Sequence, residues 1–288
     1  MPDLQNITTT PAAPPRPADA HKGTFGTVMI VGGSATMIGA PAITARAAFR
    51  TGSGLVKLAV DSAILPFALT IEPGATGLLF TGELDHRLAA LDAADPDKHA
   101  VLAVGPGMGQ AREAGELVVA LLRGKRPVVL DADGLNQLAW SDYRHTPGGA
   151  PLVLTPHPGE FRRLATPMGI RLDPTRPDQR TDAAAALAQM HQAVVVLKGQ
   201  HTVVCDGDRV FVNDTGHPAL ATAGSGDVLT GVIASLIGQG LAPFDAAVLG
   251  VHAHGCAAEQ WAAAHGRAGL RAIDLCDELP AAIEKHRL

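Results

Sequence analysis

Short apolar runs, many of them β-branched, recur along the chain at Thr27–Val31, Val56–Val60, Gly77–Phe80, Ala100–Val104, Val128–Leu130, Leu152–Leu154 and Val194–Leu197. They do not alternate polar with apolar positions, so each reads as a strand buried on both faces. Helix-length, alanine-rich stretches separate most of them, as at Ala40–Arg50, Glu113–Arg123 and Thr181–Gln192. Such alternation predicts βαβ units, and so an α/β fold: a central, mostly parallel sheet with helices on both faces. After Leu197 the pattern changes. Thr202–Cys205 and Arg209–Asn213 flank an Asp206-Gly207-Asp208 turn, which signals a hairpin. Two long helices are expected near Asp227–Gly238 and Asp245–His265, and a last one from about Ile273, with Pro280 at a kink or restart. Residues 1–20, rich in Pro, Thr and Ala, lack periodicity and read as a flexible arm, or as a segment draped over a partner subunit. No linker or repeat divides residues 21–288, which read as a single domain.

Composition narrows the class. Hydrophobic residues make up 47% of the 288 residues, aromatics only 3%, with 32 Gly and 21 Pro, which implies a small-residue aliphatic core and many tight connections. A net charge of −5 argues against a nucleic-acid partner, which needs clustered Lys and Arg. No apolar run approaches the roughly 18 residues of a membrane helix, and no basic-then-apolar N-terminal segment suggests a secretory signal. Cys205, Cys256 and Cys276 form no CxxC pair, so they read as buried thiols of a cytoplasmic protein rather than a zinc or disulfide framework.

In open α/β sheets ligands bind beyond the carboxyl ends of the strands, so the connections there carry the candidate chemistry. The most specific is Ala223-Gly224-Ser225-Gly226-Asp227, just before a helical repeat of Val228, Leu229, Val232, Ile233, Leu236 and Ile237. Free amides at a helix start, with glycines allowing close approach, make Gly224, Ser225 and Gly226 an anion hole. Asp227 beside it suits a base that takes a hydroxyl proton while the hole holds a phosphoryl group. Its structural alternative is an acid that stabilises the helix start. Gly105-Pro106-Gly107-Met108-Gly109 partly resembles a dinucleotide fingerprint, with Gln110 where the last glycine belongs and Asp131 where a ribose-binding acid could sit. It reads equally as a tight βα turn. Thr155-Pro156-His157-Pro158-Gly159-Glu160 holds His157 on a stiff loop, with Glu160 in the first turn of the next helix. Lys198 with Gly199 ends the last central strand, either meeting a nucleotide phosphate or standing solvated. His252 and His254, two apart on a helix, do not share a face as a metal pair would. The Walker pattern of a P-loop is absent.

Taken in order, Lys22–Gly26 with Val31–Ser34, Gly39-Ala40, Val104–Gly107, Leu130–Asn136, Thr155–Glu160, Leu197–Gly199 with Thr202, and Gly216–Gly231 resemble the ADP-dependent NAD(P)H-hydrate dehydratase family of the ribokinase-like superfamily, from about His21 to Leu279. The resemblance implies a ribokinase-like fold and an ADP-dependent lyase that repairs hydrated NADH and NADPH, releasing AMP and phosphate. It implies that Ala40, Gly107, His157 and Asp227 contact the hydrated dinucleotide, and that Lys198, Gly199, Gln200, His201, Thr202 and Gly226 contact the adenine nucleotide. It links Glu160 to Mg²⁺, directly or through water. It also implies a homotetramer working beside a separate NAD(P)H-hydrate epimerase, for which the chain is too short. ATP remains open as the donor. Three other readings stay open too: a ribokinase-like kinase of a small alcohol or vitamin precursor using the same Asp227, a nicotinamide dehydrogenase built on Gly105–Gly109, and a nucleotide-sensing module without turnover.

Overall fold

A computed structural model describes residues 4–146 and 148–287. Ten strands form one sheet: β1 (Gln5–Asn6), β2 (Thr27–Val31), β3 (Leu55–Ala59), β4 (Thr76–Gly77), β5 (Val101–Val104), β6 (Val128–Leu130), β7 (Leu152–Leu154), β8 (Val194–Leu197), β9 (Val203–Cys205) and β10 (Arg209–Val212). Their order is β1-β10-β9-β8-β7-β6-β5-β2-β3-β4. All neighbours pair in parallel except β8–β9 and β9–β10, the second of which is the expected hairpin.

Helices cover both faces. They are α1 (Gly39–Thr51), α2 (Leu65–Ile71), α3 (Leu84–Ala94), α4 (Arg112–Leu122), α5 (Ala132–Ala139), α6 (Pro158–Ala165), α7 (Arg180–His191), α8 (Ser225–Gly238), α9 (Pro243–His265) and α10 (Ala272–Glu284). The strand side chains alternate between two cores. Val28, Ile30, Val129, Val194 and Val196 face the layer of α1, α8, α9 and α10, whereas Met29, Val31, Val128, Leu130, Val195 and Leu197 face that of α4 to α7. Burial on both faces explains the uninterrupted apolar runs. One close contact fixes the geometry near the candidate site. Gly231 of α8 lies so near α1 that an added Cβ would fall 2.3 Å from the Thr44 carbonyl oxygen. The small residue lets the two helices approach and sets their starts side by side.

Several boundaries differ from expectation. The Gly77–Phe80 run shortens to β4 at Thr76–Gly77, because only two residues pair with β3. Pro280 neither ends nor restarts α10, which runs through it. The expected flexible arm is the largest departure: residues 4–20 lie along the domain. Gln5 and Asn6 add a parallel edge strand to β10, the Ile7 N–H donates to the Val210 carbonyl at 2.7 Å, and the Ala13 N–H donates to the His286 carbonyl at 2.7 Å. Arg16 donates to the Gly52 carbonyl and stacks over Phe25. A segment without periodicity is tied down here by backbone hydrogen bonds, a cation–π contact and a few scattered apolar contacts from Leu4, Ile7 and Ala13, too sparse for hydrophobic patterning to register. Among the described residues no helix is long and apolar enough to cross a membrane.

Candidate active site

The sheet reverses its winding at β2. From there the chain runs outward through β3 and β4, then returns to β5 on the other side of β2 and continues to β8. A crevice forms at such a switch point, outside the carboxyl ends of the strands. Gly32 and Gly33, after β2, meet the loop after β5 there: the Gly33 N–H donates to the Pro106 carbonyl at 2.9 Å. Gly107 has φ +63°, and an added Cβ would lie 3.0 Å from the Ala40 Cβ. Gly107 is buried, so its lack of a side chain is what lets the β5 loop pack closely against Ala40 at the start of α1.

The start of α8 lies against α1 as well, since an added Cβ on Gly224 would stand 3.6 Å from Ile43 Cδ1. The helix begins at Ser225, two residues before the expected Asp227, with Gly224 at its N-cap in the left-handed region at φ +87°. Among the described residues no side chain caps it. Its first turn therefore presents amides that lack intrahelical acceptors, the arrangement expected of an anion hole at Gly224, Ser225 and Gly226. Asp227 sits in that turn, and an added Cβ on Gly224 would stand 3.8 Å from Asp227 Oδ2. Burial raises the Asp227 carboxyl to about 7, and repulsion from Asp131 adds to this, while Lys198 opposes it.

Lys198, at the end of β8, joins three strand ends. Its Nζ donates to Asp131 Oδ1 at 2.6 Å and lies 3.8 Å from Glu160 Oε2. Asp131 is 1% exposed and also accepts from Thr155 Oγ1 at 2.7 Å. Burial works against its charge, but the Lys198 ammonium wins and holds the carboxyl below its usual range. Lys198 itself is pushed up, because its acidic neighbours outweigh its own burial. The side chain therefore remains a cation beneath Gly226, whose added Cβ would lie 3.3 Å from Nζ. Asp131 thus points inward to Lys198 and is spent on that pair, not on a ribose. Gly105 closes the packing between the β5 and β6 connections, since an added Cβ there would stand 2.0 Å from the Asp131 carbonyl oxygen. These contacts favour the tight-turn reading of Gly105–Gly109 over the dinucleotide fingerprint.

His157 caps α6. Its Nδ1 accepts from the Gly159 and Glu160 amides at 2.9 and 3.3 Å, and the Glu160 carboxylate accepts from the His157 N–H at 2.8 Å. The ring is lowered below its usual value by burial and by Lys198, so it stays neutral, with its outer edge half exposed. Burial raises the Glu160 carboxyl to about 7, with Lys198 opposing that rise. Beyond β8, Gly199 has φ +137° and His201 φ +54°. This tight turn is closed by Thr202 Oγ1 donating to the Gly199 carbonyl at 2.9 Å, and it leaves Gln200 and His201 exposed.

Two residues take roles that sequence reasoning does not assign them. Asp131 reads from its position only as a ribose ligand, although an acid ending a buried strand is itself a signal. His254, two residues from His252 on a helix, does not read as a metal ligand and is given no other role. Its Nε2 lies 2.9 Å from the Ser225 carbonyl, and burial lowers it to about 4, so the neutral ring donates its Nε2–H to that oxygen in the first turn of α8.

Comparison with known proteins agrees with this geometry. Residues 28–281 match the family model described as NAD(P)H-hydrate dehydratase. The chain is 41% identical over 278 residues to the bifunctional NAD(P)H-hydrate repair enzyme of Moorella thermoacetica, a match that covers 93% of this chain and 51% of that protein. It therefore spans about half the length of that relative. The crystal structure of the ADP/ATP-dependent NAD(P)H-hydrate dehydratase from Bacillus subtilis, co-crystallised with ATP/Mg²⁺, matches with a TM-score of 0.82 and 32% identity, covering 96% of this chain and 95% of that one. A ribokinase-like superfamily protein from Enterococcus faecalis matches at TM-score 0.80 and 22% identity, over 99% and 96% of the two chains, which establishes the ribokinase-like fold alone. With a family match spanning almost the whole sheet, and a crevice whose glycine turns and buried acids lie at the strand ends, the chain belongs to the NAD(P)H-hydrate dehydratase family.

Proposed function

We propose that this chain dehydrates hydrated NADH and NADPH at the expense of a nucleoside diphosphate, ADP, giving NAD(P)H, AMP and phosphate. The observation that carries the reading is Asp227: a half-buried carboxyl, raised to about 7, in the first turn of a helix whose leading amides are uncapped among the described residues. A base poised near neutral pH, beside a ready-made anion hole, is what phosphorylation of a ring hydroxyl requires.

Hydroxide is a poor leaving group and phosphate a good one. Asp227 accepts the proton of the ring hydroxyl as that oxygen attacks the terminal phosphoryl group of ADP, and AMP departs. The amides of Ser225 and Gly226, with the Lys198 ammonium beneath them, offset the negative charge that develops. Expulsion of phosphate, driven by the ring nitrogen lone pair, leaves a ring iminium, and loss of a proton from the adjacent ring carbon to solvent then restores the ring double bond. In this reading Ala40, Gly107 and His157 hold the hydrated dinucleotide, and the turn from Lys198 through Thr202, with Gly226, holds the adenine nucleotide. The similar Bacillus subtilis enzyme is ADP/ATP-dependent, which supports ATP as a second donor.

Mg²⁺ fits the donor set in one form. Among the described residues no group of three or more His, Cys, Asp or Glu side chains is arranged to hold a metal. Mg²⁺ commonly binds through one or two carboxylates together with waters and substrate phosphates. Glu160, a buried carboxylate at the crevice, would hold it in that way, through water, and the ion would supply neutralisation of the phosphate charge. The same reading carries a cytoplasmic homotetramer that works beside an NAD(P)H-hydrate epimerase. The bifunctional relative, half of which this chain does not cover, supports the functional link.

The test mixes the protein with enzymatically hydrated NADH, Mg²⁺ and either ADP or ATP, and follows recovery of dihydronicotinamide absorbance. Recovery that depends on nucleotide supports the proposal. A persistent phosphate ester would instead identify a kinase, and nucleotide binding without any turnover would identify a sensing module.

A further inference from the structure

Arg180 breaks three local rules at once. It is 8% exposed, it opens helix α7 where the helix dipole disfavours a cation, and among the described residues no carboxylate pairs with it. Its guanidinium instead grips carbonyl groups. Nη1 donates to the Pro174 carbonyl at 2.6 Å, and Nη2 donates to those of Leu197 at 2.9 Å and Lys198 at 3.4 Å. Nε is buried without a partner among the described residues. A buried cation so poorly compensated marks a position kept for something other than stability.

Its location indicates what that is. An added Cβ on Gly199 would lie 3.3 Å from Nη2 and 3.4 Å from Nη1, so the guanidinium lies directly behind the glycine of the turn after β8. In a planar trans peptide the N–H points opposite to the C=O. Drawing the Lys198 carbonyl toward Arg180 therefore turns the Gly199 N–H away from it, toward the open side of the turn. The Leu197 peptide is fixed at both ends, because the Lys198 N–H donates to the Pro156 carbonyl at 2.9 Å. Arg180 thereby sets the peptide planes on either side of Lys198, and only glycine backbone separates its charge from whatever lies against the turn.

We propose that Arg180 is a positioning residue for the phosphoryl donor: it aims the Gly199 amide, and lends its uncompensated charge, at the phosphates of the bound nucleoside diphosphate. The inference rests on the assignment of residues 198–202 to the nucleotide. Arg rather than Lys is needed, because a planar fork spans the carbonyls of residues 174 and 197 together, whereas an ammonium does not.

Two variants test this. Arg180→Lys keeps the charge and loses the fork, and Arg180→Met loses both. Steady-state kinetics would give KM for ADP and for the hydrated cofactor separately, with nucleotide affinity measured by calorimetry and folding by thermal melting. The expected result is an ADP KM and Kd raised about tenfold in Arg180→Lys, the loss of roughly one charge-assisted hydrogen bond, and raised further in Arg180→Met, while KM for the hydrate stays within about twofold. Folded variants with unchanged ADP affinity, or with both KM values rising in step, would overturn the inference. If Arg180→Met does not fold, Arg180→Lys alone decides. Wild-type protein that binds no nucleotide would overturn the underlying assignment along with it, whereas normal wild-type binding that neither variant alters would sink the role of Arg180 alone.

Discussion

Replacing Asp227 by Asn separates two consequences of burying a carboxylate at the start of α8. The side chains are nearly isosteric, so the packing stays and the charge goes. In the fold, burial and then Asp131 raise this carboxyl from 3.8 to about 7. That is about three pH units, and at about 1.36 kcal/mol each the ionised form is disfavoured in the folded protein by roughly 4 kcal/mol. Because the folded-state value lies above the unfolded one, the folded protein binds this proton more tightly. The cost is absent below about pH 4, grows as the pH rises, and is complete above about pH 7. Asp227→Asn escapes it at every pH. The variant should therefore melt higher than wild type at pH 8, by roughly 2 °C per kcal/mol for a chain of this size. The gain should fall to under half at pH 5. Turnover should drop about 10²–10⁴-fold, the usual cost of losing a positioned base. Wild-type kcat, for its part, should climb through about pH 7 as the carboxyl ionises. Melting curves at both pH values and steady-state rates check all of this. A variant that melts lower at pH 8, or gains equally at pH 5, would refute the burial argument, and near-normal turnover would remove Asp227 as the base.

Lys198→Met leaves Asp131 buried without its cation. Such a break commonly costs about 3–5 kcal/mol, which urea denaturation would register. Adding Asp131→Asn should recover most of that stability without restoring turnover, and a single variant as stable as wild type would show that the pair does not hold the strand ends together. Gly54→Ala places a Cβ 1.7 Å from the Lys22 carbonyl oxygen, so the backbone must shift. A loss of about 1–3 kcal/mol or more is expected, measured as a lowered urea midpoint, and an unchanged midpoint would mean that this loop moves freely. Deleting residues 1–15 removes the β1 pairing and the Ala13–His286 hydrogen bond. Melting should fall by several degrees with kcat unchanged, whereas an unchanged melting temperature would return the segment to the status of a free arm.

The core strands are legible in the sequence because burial on both faces leaves a run such as Val194–Leu197 no alternative reading. The hairpin at Asp206–Asp208 is legible because its turn chemistry is local. The start of α8 lies two residues earlier than the pattern suggests, since Ser225 and Gly226 are poor helix formers whose helical state local propensity does not signal. Segment 4–20 gives no such signal, because its ties are made by backbone groups, Arg16 and the isolated apolar residues Leu4, Ile7 and Ala13, which leave no hydrophobic period. Within the candidate site, Gly224–Asp227 stands out from spacing alone, and Lys198 and His157 from their place after strands. Asp131 suggests a ribose ligand, and the partner it actually takes, Lys198, lies 67 residues away.

The sequence by itself determined which central segments are strands, which ends of those strands carry glycine turns, and which side chains could do chemistry there, because these depend on neighbours a few residues apart. Only the tertiary structure decided that Asp131, Glu160, Lys198 and Asp227 share one crevice, that two of the acids are raised to about 7 while a third is held ionised by the lysine, and that Arg180 lies behind Gly199. Charge state and hydrogen-bond direction follow from burial and from distances of a few ångströms between residues far apart in the chain. No local pattern encodes those distances, and they exist only once β5, β6, β7 and β8 lie side by side.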